Sequence, residues 1–247
     1  MKIIYYYQTF NGLSKILNDP NNNVTHIHLS SIHFDQDDIH LNDYSPYDPR
    51  FKSVWDELNT ATQTKNIKVI LMVGGAGSAY RQLFTNFDKY YDMLFKLINK
   101  YRGIIKGVDL DIEEDVNIND IYKLILRLKS DFGLNFIIAM APVQSSIEND
   151  VDGMGGFVYK DLYKKIGNLI DYFNVQCYAV YNLQTMDNMI KNGYPSNKIN
   201  MGMMSWQYNN DIPNTVKSIV NKYPDFGGVF DWEYGDAVEN WNHRIIP

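Results

Sequence analysis

The chain has 247 residues, 45% hydrophobic and 21% charged, which suffices for one large core or two small ones. Its net charge of −6 comes without any tract of Lys or Arg, which argues against a nucleic-acid or acidic-membrane partner. The lone cysteine, Cys177, excludes an internal disulfide framework and fits a reducing compartment. No apolar stretch approaches the roughly 18 residues needed to span a bilayer.

Met1-Lys2 runs straight into Ile3-Ile4-Tyr5-Tyr6-Tyr7. That segment is too short and too aromatic for an export signal; it reads as a first strand, Lys2 to Tyr7, and a cytoplasmic location is expected. After a short helical turn from Leu13 to Leu17, the polar run 18–23 leads into a second strand, Val24 to Phe34. His26 and His28 share a face of that strand, like a metal pair, but they lie early in it and no partner cluster is evident, so no metal is expected. A long polar loop with Pro46 and Pro49 follows, then a helix from Phe51 to Gln63 on the spacing of Phe51, Val54, Trp55 and Leu58. Ile67 to Val73 is a continuous apolar strand stopped by Gly74-Gly75-Ala76-Gly77. No GK[ST] follows those glycines, which removes the phosphate-loop reading.

Leu83 to Ile98 carries a helical stripe, and Gly103 precedes a fourth strand, Ile104 to Glu113. A helix led by Asn119-Asp120 ends at Gly133; Leu134 to Ala141 is the fifth strand, stopped by Pro142. A Gly- and Asp-rich loop from Ser145 to Gly156 precedes a helix from Val158 to Ile166. Strands from Leu169 to Tyr178, Ile199 to Met204 and Phe226 to Trp232 follow, separated by helices Leu183 to Lys191 and Asp211 to about Lys222; Ala237 to His243 is a last helical piece. Eight strands, many of them continuously apolar, alternate with about eight helical segments. That order predicts a (β/α)8 TIM barrel occupying 1–247 as a single domain without a large insertion; a doubly wound open sheet is the alternative.

The fourth strand carries unusual chemistry. Asp109, Asp111 and Glu113 alternate with Val108, Leu110 and Ile112, so the three carboxylates point to one face. Neighbouring like charges repel, and burial raises the cost, so the arrangement suits shifted carboxyl pKa values. A solvated acidic face is the plain alternative. In a barrel, function gathers at the C-terminal ends of the strands. Those ends hold Tyr6, Gly74 and Gly75, the three acids, Met140, Gln176 with Tyr178, and Trp232. Taken singly, Tyr6, Gln176, Tyr178 and Trp232 could each be ordinary core. Cys177 points opposite to Gln176 and Tyr178 and reads as a buried thiol.

These pieces together resemble glycoside hydrolase family 18, the chitinases and related endo-β-N-acetylglucosaminidases. Gly107-Val-Asp-Leu-Asp-Ile-Glu113 matches the family signature from its glycine to its glutamate. Gln176-Cys177-Tyr178, Met140-Ala-Pro142 and Gly227-Gly-Val-Phe-Asp-Trp232 look like the pieces found on strands six, five and eight of compact plant-type members. The resemblance covers nearly the whole chain. Two positions depart from the pattern: Lys106 stands where the motif opens with an Asp, and Met72 where a Ser precedes the paired glycines by two. Glu114 occupies a position that is aromatic in many chitinases.

The resemblance implies retaining, substrate-assisted hydrolysis of β-1,4-linked N-acetylglucosamine polymers, endo-acting, with neither cofactor nor metal. It implies Glu113 as general acid and base, Asp111 as holder of the substrate acetamido N–H, and Asp109 as a buried tuner. Tyr178 would donate to the acetamido oxygen, and Trp232 would form the floor. Tyr6, Gln176, Gly74, Gly75 and Met140 would contact substrate. Cleavage of the di-N-acetylglucosamine core of N-glycans is the close variant. A silent sugar-binding barrel is the rival, opposed by the presence of Glu113. The expected partner is an N-acetylglucosamine-containing oligo- or polysaccharide, bound by a monomer.

Overall fold

The strands form where apolar runs can be buried on both faces, and they close into a ring. The structure, a computed structural model, describes residues 1–35 and 37–246. Its strands are β1 (Lys2–Tyr7), β2 (His26–Asp35), β3 (Asp38–Leu41), β4 (Lys68–Gly74), β5 (Ile105–Asp111), β6 (Ile137–Met140), β7 (Tyr172–Gln176), β8 (Ile199–Met204) and β9 (Gly228–Trp232). The sheet order is β1-β9-β8-β7-β6-β5-β4-β2-β3, and an additional β1–β2 pairing closes it. Every pairing in the ring is parallel; only β3 runs antiparallel, against β2. The eight parallel strands and the surrounding helices are the expected (β/α)8 barrel.

The core has two parts. The larger lies between the strands and the outer helices, such as Ile118–Phe132, which buries Ile121, Leu124, Ile125, Leu128 and Phe132. The smaller fills the barrel itself with Ile4, Tyr6, Met72, Ala139, Tyr172 and Phe230. Gly202 on β8 makes room for this inner layer: a Cβ there would come within 1.8 Å of the Phe230 ring.

Local differences from the sequence reading have local causes. The polar loop after β2 contains β3, whose Ile39 and Leu41 are buried in a four-residue hairpin arm too short to announce itself. The Leu83–Ile98 stripe is two helices, Tyr80–Thr85 and Phe87–Lys100. Asn86 breaks between them in a non-helical conformation, and its side chain accepts from the Lys89 N–H to cap the second. Several strands are shorter than their apolar runs: β6 begins at Ile137, leaving Leu134 74% exposed, and β5 ends at Asp111, before Glu113.

Candidate active site

Alternation along β5 sends Val108 and Leu110 into the outer core and Asp109 and Asp111 into the barrel. The three acids then step outward. Asp109 is 0% and Asp111 6% exposed, while Glu113, past the strand end, is half-buried. The paired glycines of β4 permit this. Gly74 pairs with Asp111 and has φ +94°; a Cβ there would lie 2.2 Å from the Asp111 carbonyl oxygen. The Gly75 N–H donates to the same oxygen at 2.9 Å.

A cleft of about 280 Å³ opens above Asp111. Its walls include Asp111, Glu113, Gln176, Tyr178, Trp232 and Gly75, drawn from separate strand ends. Gln176 donates through Nε2 to Asp111 Oδ1 at 3.2 Å and to the Ala141 carbonyl at 2.8 Å. Burial pushes the Asp111 carboxyl well above its usual range. The charges of Glu113 and Asp109 push it further, against the opposing pull of the Gln176 amide. Burial alone raises the Glu113 carboxyl, which has no hydrogen bond among the described residues. Burial, with Asp111 and Glu113 nearby, raises the Tyr178 phenol, so it remains a donor at neutral pH. The site thus combines a protonatable carboxyl facing the cleft, a second one behind it, a phenol donor and an indole wall.

Asp109 lies below the cleft. Its Oδ2 accepts from Tyr6 Oη at 2.6 Å, His28 Nδ1 at 2.7 Å and Asn174 Nδ2 at 3.3 Å. Beyond it, Asn200 Nδ2 donates to Asn174 Oδ1 at 2.8 Å.

Three expected contact residues do not reach the cleft. Tyr6 is 2% exposed; it holds Asp109 and supports the Trp232 ring at 5.2 Å, and it is no wall. Met140 is fully buried in the outer core, because β6 turns Ala139 inward and Met140 outward. Gly74 is buried between strands, and Gly75 alone of the pair lines the cleft. His28, read as lying early in its strand with no partner cluster, faces the barrel axis and touches Asp109. His26, by contrast, pairs with Thr25 Oγ1 at 2.8 Å. Among the described residues, no group of three or more His, Cys, Asp or Glu could hold a metal ion.

The sequence reading missed Gln8, Ser31, His33, Ala76 and Met204, which complete the lining. Gln8 follows Tyr6 by two, and Met204 ends its strand, so alternation and strand-end position could have found both. Ser31 and His33 were hidden. The β2–β4 register shifts between Leu29 and Ile32, which breaks the two-residue alternation counted from His28. Lys106 lies at the opposite end of β5, where its Nζ donates to the Gly103 carbonyl at 2.7 Å and so closes the strand start, far from the acids. Glu114 turns away from the cleft and accepts from the N–H groups of Ala79, Tyr80 and Arg81 at 2.5, 2.9 and 3.2 Å. It thereby caps helix Tyr80–Thr85, which has no side-chain cap of its own.

Comparison with known proteins bears on the family and the fold. Residues 2–243 match the family described as glycosyl hydrolases family 18. A fungal endo-β-N-acetylglucosaminidase of glycosyl hydrolase family 18 superposes with a TM-score of 0.90 at 31% identity, covering 99% of this chain and 96% of that one. A chitinase from Aspergillus fumigatus does so at 0.90 and 26% identity, covering 98% and 96%. Chitinase 2 of Rhizopus oligosporus is 27% identical over 208 residues, 73% of this chain but only 36% of that longer protein. Among the described residues, no helix is long and apolar enough to cross a membrane.

Proposed function

The chain belongs to glycosyl hydrolases family 18, and from that premise we propose that it cleaves β-1,4-linked N-acetylglucosamine chains internally, with retention, using Glu113 as acid and base. One observation carries the mechanism. The only carboxylates lining the cleft among the described residues, Asp111 and Glu113, come from the same strand end, and none faces them from the opposite wall. A two-carboxylate scheme needs an opposing nucleophile or base, whereas a substrate-assisted scheme needs none.

Glu113, whose carboxyl is raised by burial, gives its proton to the leaving oxygen. The substrate's own acetamido oxygen attacks the anomeric carbon and forms an oxazolinium. Asp111 accepts the acetamido N–H, and Tyr178 donates to its oxygen. Glu113, now ionised, takes a proton from water, which opens the ring from the same face. The charge of Asp109 behind Asp111 adds to the rise of the Asp111 carboxyl. Trp232 supports the sugar at the point of cleavage, with Gln176 and Gly75 beside it. One copy of the barrel holds this whole cleft, so a monomer suffices, and the chemistry needs no cofactor, nucleic acid or membrane. The connection from β8 to helix Ile212–Lys222 spans only residues 205–211. It carries no insertion to wall the groove, which favours internal cuts.

The N-glycan core is the second reading. It is favoured by the 31% identity to a fungal endo-β-N-acetylglucosaminidase over nearly the full length of both chains. The deciding experiment compares wild type with Glu113→Gln on N-acetylchito-oligosaccharides and on an N-glycoprotein. Turnover should fall roughly 10²–10⁴-fold in the variant, with the preferred substrate identifying the polymer. Turnover that survives the substitution would sink the mechanism, and stepwise release from a chain end would remove the endo assignment.

A further inference from the structure

Asp109 is the deepest of the three acids, and its two oxygens are unequal. Oδ2 gathers three donors, whereas Oδ1 has no partner among the described residues. The strand beside it offers nothing. Its register partner on β4 is Met72, a thioether with no hydrogen to donate. The Met72 sulfur instead accepts from Ser31 Oγ at 3.7 Å. Without an imidazole, a neutral phenol and a long amide contact would be all that fix the carboxylate.

His28 supplies the imidazole. It is fully buried and stands in register with Tyr6, so both side chains enter the barrel at one level. Its Nδ1 faces a carboxylate oxygen at 2.7 Å and therefore carries the hydrogen. Nε2 lies 3.2 Å from Tyr172 Oη, whose hydroxyl donates to it in the neutral ring. A ring held at both nitrogens has one orientation. The acid it grips is held in turn, as an outer carboxylate holds the histidine of a metal site. This bond to a charged acceptor is the strongest in the network by type, and both of its partners are fully buried.

We propose that His28 is a positioning residue of the acid/base machinery: its Nδ1–H fixes Asp109 under Asp111, in place of the hydroxyl that residue 72 does not provide. The inference rests on the roles assigned to Glu113 and Asp111. Asp109 anchored through Oδ2 keeps its charge at a fixed distance behind Asp111. Released, it can turn, and the field that holds the proton on the outer acids weakens.

The test separates a donor from mere bulk. His28→Leu keeps volume and removes the donor, and His28→Asn restores an N–H near the place of Nδ1. Met72→Ser in the His28→Leu background offers a hydroxyl from the adjacent strand. On N-acetylchito-oligosaccharides, His28→Leu should lose roughly 10–100-fold in kcat with KM little changed, and at least one donor-restoring variant should recover most of it. Proton NMR of the wild type should show a downfield, slowly exchanging Nδ1–H that moves in Asp109→Asn. This readout keeps the proposal testable if His28→Leu folds poorly. Undiminished kcat in His28→Leu, no recovery by either restoring variant, or absence of that proton would each overturn it. Glu113→Gln is run alongside. Full turnover there with the His28 series behaving as stated discards Glu113 and keeps His28, and the reverse pattern discards His28 alone.

Discussion

Asp231 provides a stability prediction with a magnitude. It sits on β9 next to Trp232, fully buried, with Oδ2 accepting from Ser205 Oγ at 2.7 Å and Oδ1 unpartnered among the described residues. Burial pushes its carboxyl from 3.8 up to about 7; the Ser205 bond acts the other way, and the charges of Glu233 and Asp236 add to the rise. Between those two values the folded protein keeps a proton that the unfolded chain has released. Stability therefore falls as pH rises through the window, and the full cost is present above about pH 7. The shift of about three units, at about 1.4 kcal/mol each, gives an upper value of ~4 kcal/mol. Asp231→Asn removes the charge and keeps an oxygen for Ser205. The variant should be more stable than wild type at pH 8 by up to about 4 kcal/mol, or roughly 8–16 °C in Tm for a chain of this size. The gain should shrink toward zero near pH 4. Thermal and urea unfolding of both proteins across that range reads it directly. A stability difference that does not change between pH 5 and pH 8 would refute the reasoning. Ser205 and Trp232 follow β8 and close β9, so the retained bond should leave turnover close to wild type.

Asp111→Asn should separate stability from activity. Burial first, then Glu113 and Asp109, raise this carboxyl well above its usual range, so the neutral amide should stabilise the fold at neutral pH, a gain lost on acidification. Turnover should fall about 10²-fold as the acetamido acceptor loses its charge; unfolding curves and initial rates on one preparation check both signs. Glu114→Ala removes the side-chain cap on helix Tyr80–Thr85. It should cost about 1–2 kcal/mol, or roughly 2–8 °C in Tm, and slow turnover, because the segment it ties down begins at the Gly75–Ala76 wall. Glu114→Gln should recover part of both, and an unchanged Tm in Glu114→Ala would remove its structural role.

The barrel was legible because parallel strands buried on both faces must be apolar, and the punctuation between them is strong. The acids were legible because alternation carries from residue to residue within β5. Met140 shows where that rule needs the structure. A strand end can place either of two neighbours inward, and β6, only four residues long, chose Ala139. Ser31 and His33 show the complementary failure, since a register shift in β2 leaves no mark in the sequence. Tyr6 and His28 were misjudged for a different reason. Both point into the barrel, but depth along the axis decides between wall and foundation, and depth follows from the stagger of strands closed into a ring.

That depth also explains how one short strand can divide labour among like residues. The innermost acid is held by donors from β1, β2 and β7, and none of its surface meets solvent. The middle acid has one side-chain donor, from Gln176, and carries the charges of its neighbours on both sides. The outermost has no donor among the described residues and is only partly buried. Donors stabilise the charged form and burial the neutral one. Burial raises the two carboxyls at the cleft, Asp111 and Glu113, which favours their protonated forms where a leaving oxygen can take the proton. Equal acids on an exposed strand would show no such gradient. The same three residues gain direction from being threaded along the axis of a closed barrel.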